Sequence, residues 1–139
     1  MFVGTFEHSL DDKGRVVLPA AYRPEFTDRG YLSQFDRCLA LWTPEEFDDM
    51  SERLTERVRA KEATQGALRA FAANSHLVRA DSQGRISIPE RLREFAGLDR
   101  DVMVVGALNK VEVWDRARWQ SERDESDQSL AMAITELGL

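Results

Sequence analysis

Apolar and polar positions change period several times along this chain of 139 residues, and each change marks an element. Phe2 to Leu10 alternates, with Phe2, Gly4 and Phe6 on one side and Val3 and Thr5 on the other, which predicts a strand. Val16-Val17-Leu18 is a short β-branched strand ended by Pro19, and Pro19 is placed to open a short helix through about Phe26. Tyr31–Phe35 and Cys38–Trp42 are two apolar runs around Asp36-Arg37, the pattern of a hairpin. Thr43-Pro44-Glu45-Glu46 then supplies an N-cap, a first-turn proline and the Glu of a capping box. Phe47, Met50, Leu54 and Val58 follow at helical spacing, so this helix should run towards Lys61. A second helical stretch, Thr64 to Ser75, takes its apolar side from Leu68, Phe71 and Ala72.

The remainder repeats the opening order. Leu77–Ala80 is strand-like, Asp81–Arg85 a turn, Ile86–Ile88 a strand, and Pro89 to Ala96 a helix that Gly97 should stop. Val102–Ala107 and Val111–Trp114 form a hairpin around Leu108-Asn109-Lys110, and Asp115 caps a helix over Arg116–Glu122. Beyond Gln120 the chain turns polar (SERDESDQS) before a weakly amphipathic end, Leu130 to Leu137, and this tail is compatible with a helix. Trp42 and Trp114 occupy matching hairpin sites, and a large ring at both reads as a pair of core anchors.

One segment makes the repetition explicit. Asp11-Asp12-Lys13-Gly14-Arg15-Val16-Val17-Leu18-Pro19 returns seventy positions later as Asp81-Ser82-Gln83-Gly84-Arg85-Ile86-Ser87-Ile88-Pro89, and Arg23 and Arg93 keep the same offset. The chain therefore divides into module 1 (5–47), a helical connector (48–75), module 2 (76–119) and a C-terminal tail (120–139). Modules of forty-odd residues are near the size at which a lone core fails to offset chain entropy, so the copies should fold against each other.

Composition narrows the class. An apolar share of 42% and a charged share of 32% are those of a globular protein, and no apolar run reaches membrane-spanning length. The N-terminus lacks the basic and long apolar regions of a signal peptide. Cys38 is the only cysteine, so an intramolecular disulfide and a cysteine-based zinc site are excluded; its flanks suggest a strand position, and it reads as a buried structural thiol in a cytosolic protein. The net charge of −6 opposes nucleic-acid binding, but its distribution does not. Acids concentrate in 45–62 (seven against four bases) and 112–127 (six against three), whereas 76–93 holds four bases against two acids. Local patches set the field that a phosphate meets.

In Asp-x-x-Gly-Arg the Asp bonds local amides, the Gly accepts positive φ, and the Arg sits where the chain leaves the turn. A guanidinium held there can grip a phosphate or read guanine O6 and N7. It can equally close an Asp11–Arg15 or Asp81–Arg85 salt bridge that steadies the turn, and the two roles are compatible. Lys13, Arg79, Arg91, and the matched Arg23 and Arg93, are candidates for phosphate contact or are solvated surface charges.

The pattern resembles the MraZ family, whose members carry two AbrB-like (SpoVT-AbrB) modules. The resemblance runs through Met-Phe-x-Gly at the N-terminus, Leu10-Asp11-x-Lys13-Gly14-Arg15, Asp81-x-x-Gly84-Arg85, Ala96-Gly97-Leu98, Val102-Met103-Val104-Val105-Gly106 and Asn109-Lys110-x-Glu112-x-Trp114-Asp115. It implies an α+β fold in which tandem swapped-hairpin modules interleave into one β-rich, barrel-like body with flanking helices. It further implies a sequence-specific, nucleoid-associated repressor of the division and cell-wall gene cluster, its own gene included. Such a regulator binds G-rich direct repeats of double-stranded DNA as a ring-like homo-oligomer. The family's DNA-contact signature maps onto Asp11 with Arg15 and Asp81 with Arg85. Lys13 matches the family pattern in the first copy, while Gln83 departs from it in the second and lowers the expected phosphate attraction there.

Other classes find less support. His8 and His76 lie just before the two motifs but at inequivalent positions, without a spaced ligand set, so neither a metal site nor a catalytic site is expected. No Gly-rich phosphate loop or Ser-His-Asp pattern occurs, and no cofactor, small-molecule substrate or membrane partner is implied. An antitoxin-like AbrB-fold protein, or a structural ring whose main partner is protein, is the alternative.

Overall fold

The computed structural model describes all of residues 1–139 as an α+β chain with eight strands and four helices. The strands are β1 Thr5–Ser9, β2 Arg15–Val17, β3 Gly30–Phe35, β4 Cys38–Trp42, β5 His76–Val78, β6 Arg85–Ser87, β7 Asp101–Gly106 and β8 Val111–Asp115. The helices are α1 Pro44–Arg59, α2 Gln65–Asn74, α3 Glu90–Ala96 and α4 Arg116–Leu137, and Arg23–Phe26 forms a single 3₁₀ turn.

Local chemistry accounts for most of these limits. Thr43 accepts the Glu46 amide at 3.3 Å, Thr64 the Ala67 amide at 3.0 Å, and Asp115 the Arg118 amide at 3.0 Å, so α1, α2 and α4 each start on a side-chain cap. Gly97 ends α3 in the left-handed conformation, as expected. β1 is shorter than its alternation predicts, because Gly4 turns at φ +91° and leaves Phe2 in an isolated bridge to Leu108. The helix predicted from Pro19 is only the 3₁₀ turn, since Pro24 falls inside it and has no amide to donate. The helix expected over Arg116–Glu122 runs on through the tail. Arg116–Leu137 is one helix of 22 residues, about 33 Å long, with Glu, Arg and Gln offsetting the weaker Ser and Asp of its polar stretch.

Six strands form one antiparallel sheet in the order β1-β7-β8-β4-β3-β5, and β2 pairs with β6 as a separate two-stranded ribbon. β1 of the first copy lies on β7 of the second, with Glu7 opposite Met103, while β5 of the second lies on β3 of the first, with Tyr31 opposite Leu77. The hairpins β3–β4 and β7–β8 meet at the centre, where Leu39 faces Val113 and Leu41 faces Val111. Each copy thus gives its first strand to the other copy's hairpin. The sheet is open, which corrects the expected barrel-like closure. Closure would require the edge strands β1 and β5 to pair; instead β2 and β6 bond to each other and cover one face of the sheet.

The main core lies between that face and the ribbon. Val16, Leu18, Ile86 and Ile88 pack from the ribbon side, Leu39, Leu41, Val102, Val104, Val111 and Val113 from the sheet, and Leu92 and Ala96 from α3. The opposite face buries Cys38, Met103, Val105 and Trp114, with Trp119 of α4 against Trp114. Both predicted anchors are buried, Trp42 at 1% exposure and Trp114 at 4%. The Trp42 indole donates to Ser33 Oγ at 2.8 Å, which satisfies the one buried polar side chain beside it. Cys38 is fully enclosed, and burial pushes its thiol far above the ordinary range, so it is a packing residue.

Candidate nucleic-acid interface

The two Asp-x-x-Gly-Arg turns are built from the same bonds. Asp11 Oδ1 accepts the amides of Lys13 and Arg15 at 2.9 Å each, and Asp11 Oδ2 accepts Arg15 Nε at 2.7 Å. Asp81 Oδ1 accepts the Gln83 and Arg85 amides at 2.9 Å each, and its Oδ2 accepts Arg85 Nε at 2.7 Å. These bonds, the backbone amide of the Arg first, hold both carboxyls below their ordinary range. Gly14 and Gly84 adopt φ +72° and +77°, which a side chain would strain. The salt bridge read from the spacing is therefore real. It uses only Nε, and the two terminal nitrogens of Arg15 and Arg85 make no bond within the chain.

The ribbon sets the direction of these arginines. Its register places Arg15 opposite Ser87, Val16 opposite Ile86 and Val17 opposite Arg85. Side chains alternate along a strand, and directly opposed residues share a side. Val16 and Ile86 are buried, so Arg15, Val17, Arg85 and Ser87 all face outward. Arg15 and Arg85 stand on a diagonal of the ribbon, roughly 7–8 Å apart at Cα.

Arg23 and Arg93 join the two turns across the copies. Arg23 Nε donates to Leu18 O and Arg93 Nη1 to Ile88 O, each at 2.9 Å. A Cβ on Gly84 would stand 2.5 Å from Arg23 Nε, and one on Gly14 would collide with Arg93 Nη1. Each guanidinium thus lies over the other copy's turn glycine, in space that only glycine leaves open. Two backbone bonds reinforce the exchange, Leu18 N to Gly84 O at 2.8 Å and Ile88 N to Gly14 O at 3.0 Å. The sequence shows that positions 23 and 93 are matched, but no local signal shows that each reaches across to the other copy.

The remaining candidates scatter. Lys13 is exposed at the tip of the first turn and Gln83 at the tip of the second. Arg79 is exposed between β5 and the second turn. Arg91 lies on α3 with its Nε bonded to Asn74 Oδ1 at 2.7 Å, directed towards α2 rather than the ribbon. His8 sits beside Arg23 and Arg116, where burial and then those charges depress its basicity. No group of three or more His, Cys, Asp or Glu side chains is arranged to hold a metal ion, and no helix is long and apolar enough to cross a membrane.

The duplicated sequence that builds this geometry has a counterpart among known proteins. The model of the MraZ protein family, described as antitoxin-like, matches twice, over residues 1–70 and 71–137. The chain belongs to the MraZ family. A transcriptional regulator MraZ from Salinispora tropica is 40% identical over 132 residues, covering 94% of this chain and 93% of that protein. The Acetivibrio thermocellus regulator of the same name is 36% identical and covers both chains completely, and that of Clavibacter michiganensis is 35% identical over 99% of this chain. The double family match coincides with the two turns, each of which falls within one matched segment.

Proposed function

We propose that this chain is a DNA-binding transcriptional regulator that reads base edges with Arg15 and Arg85. One observation carries the reading: both arginines project from the outward face of a two-stranded antiparallel ribbon. Such a ribbon fits the major groove of B-DNA, and guanidinium with guanine O6 and N7 is the commonest specific contact there. In each Arg the Asp holds Nε and orients the terminal nitrogens, which lowers the entropy lost on binding. Lys13 and Arg79 add phosphate contacts from exposed positions. Arg23 and Arg93 hold the turns in register and add positive charge beneath them. Arg91, bonded to Asn74, contributes only to the general field.

Resemblance to the family supplies the finer reading. The modules 5–47 and 76–119 are AbrB-like swapped-hairpin units, joined by 48–75 and followed by 120–139. The regulator acts in the cytoplasm on the nucleoid as a ring-like homo-oligomer. It binds G-rich direct repeats upstream of the division and cell-wall gene cluster and represses that cluster together with its own gene. A ring that presents many ribbons to spaced repeats raises affinity through effective concentration, which offsets the net charge of −6. One feature favours a protein partner as the second reading. The far end of α4 exposes Leu130, Met132, Ile134 and Leu137.

The deciding measurement is footprinting on the protein's own upstream DNA. Arg15→Ala and Arg85→Ala should each cost about 1–3 kcal/mol of specific binding while circular dichroism stays that of the native chain. An unchanged footprint with both arginines removed rejects the proposal.

A further inference from the structure

The ribbon is symmetric in its backbone and asymmetric in what it presents. Its outward face carries four side chains, and the register joins them in two pairs drawn from different copies: Arg15 with Ser87 at one end, Arg85 with Val17 at the other. Residues 17 and 87 are equivalent by the repeat, so identical side chains there would make the two ends chemically alike. They are not identical. Val17 offers two methyl groups and no hydrogen-bonding atom, whereas Ser87 offers a hydroxyl that donates or accepts. Val17 is half-buried and Ser87 exposed, and neither side chain is engaged in a hydrogen bond within the chain.

Resting on the DNA reading above, we infer that Val17 and Ser87 are specificity-determining residues that make the two ends of the ribbon recognise different bases. The thymine C5-methyl is the one apolar group among the base edges of the major groove, and an aliphatic side chain is its matching contact. A serine hydroxyl bonds to several base edges and carries no demand for a methyl. The Val17–Arg85 end therefore couples guanine recognition to thymine. The Ser87–Arg15 end reads guanine with a looser neighbour. Lys13 against Gln83 changes the phosphate grip of the two ends but adds no base preference. A backbone with near two-fold symmetry is thereby set on a non-palindromic site in a single orientation.

The test is selection from a randomised duplex DNA library with the full-length protein, run on the wild type, Val17→Ser, Ser87→Val and the Arg15→Ala/Arg85→Ala double variant. Circular dichroism of each checks the fold. The wild type should enrich a motif with unequal ends and a thymine preference at one of them. Val17→Ser should weaken that preference roughly three- to tenfold and make the two ends alike, and Ser87→Val should create a matching preference at the other end. An identical motif from the wild type, Val17→Ser and Ser87→Val, lost only in the double arginine variant, overturns this inference and leaves the arginine reading intact. No enriched motif from the wild type overturns both.

Discussion

The two Asp-x-x-Gly-Arg turns share their bonds while the segments after them diverge. Behind the first turn the chain makes one 3₁₀ turn, a hairpin and two helices, α1 and α2; behind the second it makes α3, a hairpin and the long α4. At the turns themselves the Asp–Arg Nε distance is 2.7 Å in both copies, and each glycine receives the other copy's arginine. The difference teaches where the constraint lies. Each turn glycine lies against the other copy's arginine and these positions match in both copies, while the free tips, Lys13 and Gln83, differ. The outer elements cover different faces and lengths of sheet, and they are free to differ.

The largest expected effect separates the two anchors. Trp42 stands on β4, whose five residues are all buried, while Trp114 lies in the smaller cluster against Trp119. Trp42→Ala should lose about 3–5 kcal/mol in urea unfolding and Trp114→Ala the lower part of that range. Equal losses would show that the two hairpins share one level of packing after all.

A smaller effect tests the sameness of the turns. Asp11 and Asp81 both titrate below the ordinary 3.8, because the charged form accepts amide and guanidinium hydrogen bonds in the folded chain. Their stabilisation is complete above that ordinary value and is lost as pH falls through the depressed folded values. Asp11→Asn and Asp81→Asn should therefore flatten the acid limb of a stability–pH curve by similar amounts. A change in one variant alone would break the equivalence.

The smallest effect concerns the tips. Lys13→Gln should lower the slope of log affinity against log salt by about 0.9, and Gln83→Lys should raise it by a similar amount. Slopes unmoved in both variants would place the turn tips away from the phosphates.

Much of this was legible along the chain. The duplicated turn, the two hairpins, the Thr43 and Asp115 caps and the buried Trp42, Trp114 and Cys38 all follow from short-range patterns. Propensity and periodicity act over a few residues, and these features are local. The full length of α4 was only partly legible, because a polar stretch reads equally as solvated helix or loop. The inward end of Arg23 and Arg93 was not legible. Matched spacing identifies them as a pair but carries no information about the surface they meet.

What the sequence alone determined is that one unit occurs twice and that each unit ends a tight turn with an arginine. Only the tertiary structure decided that β1 pairs with β7, β5 with β3 and β2 with β6, which leaves the sheet open and the ribbon outside it. The reason is physical. Equivalent strands of the two copies could pair within a copy or between copies, and backbone hydrogen bonding does not distinguish the two. The choice falls to burial of Val16, Leu18, Ile86 and Ile88 on one shared core, a term that exists only once both copies are present. That same choice brings Arg15 and Arg85 to one face.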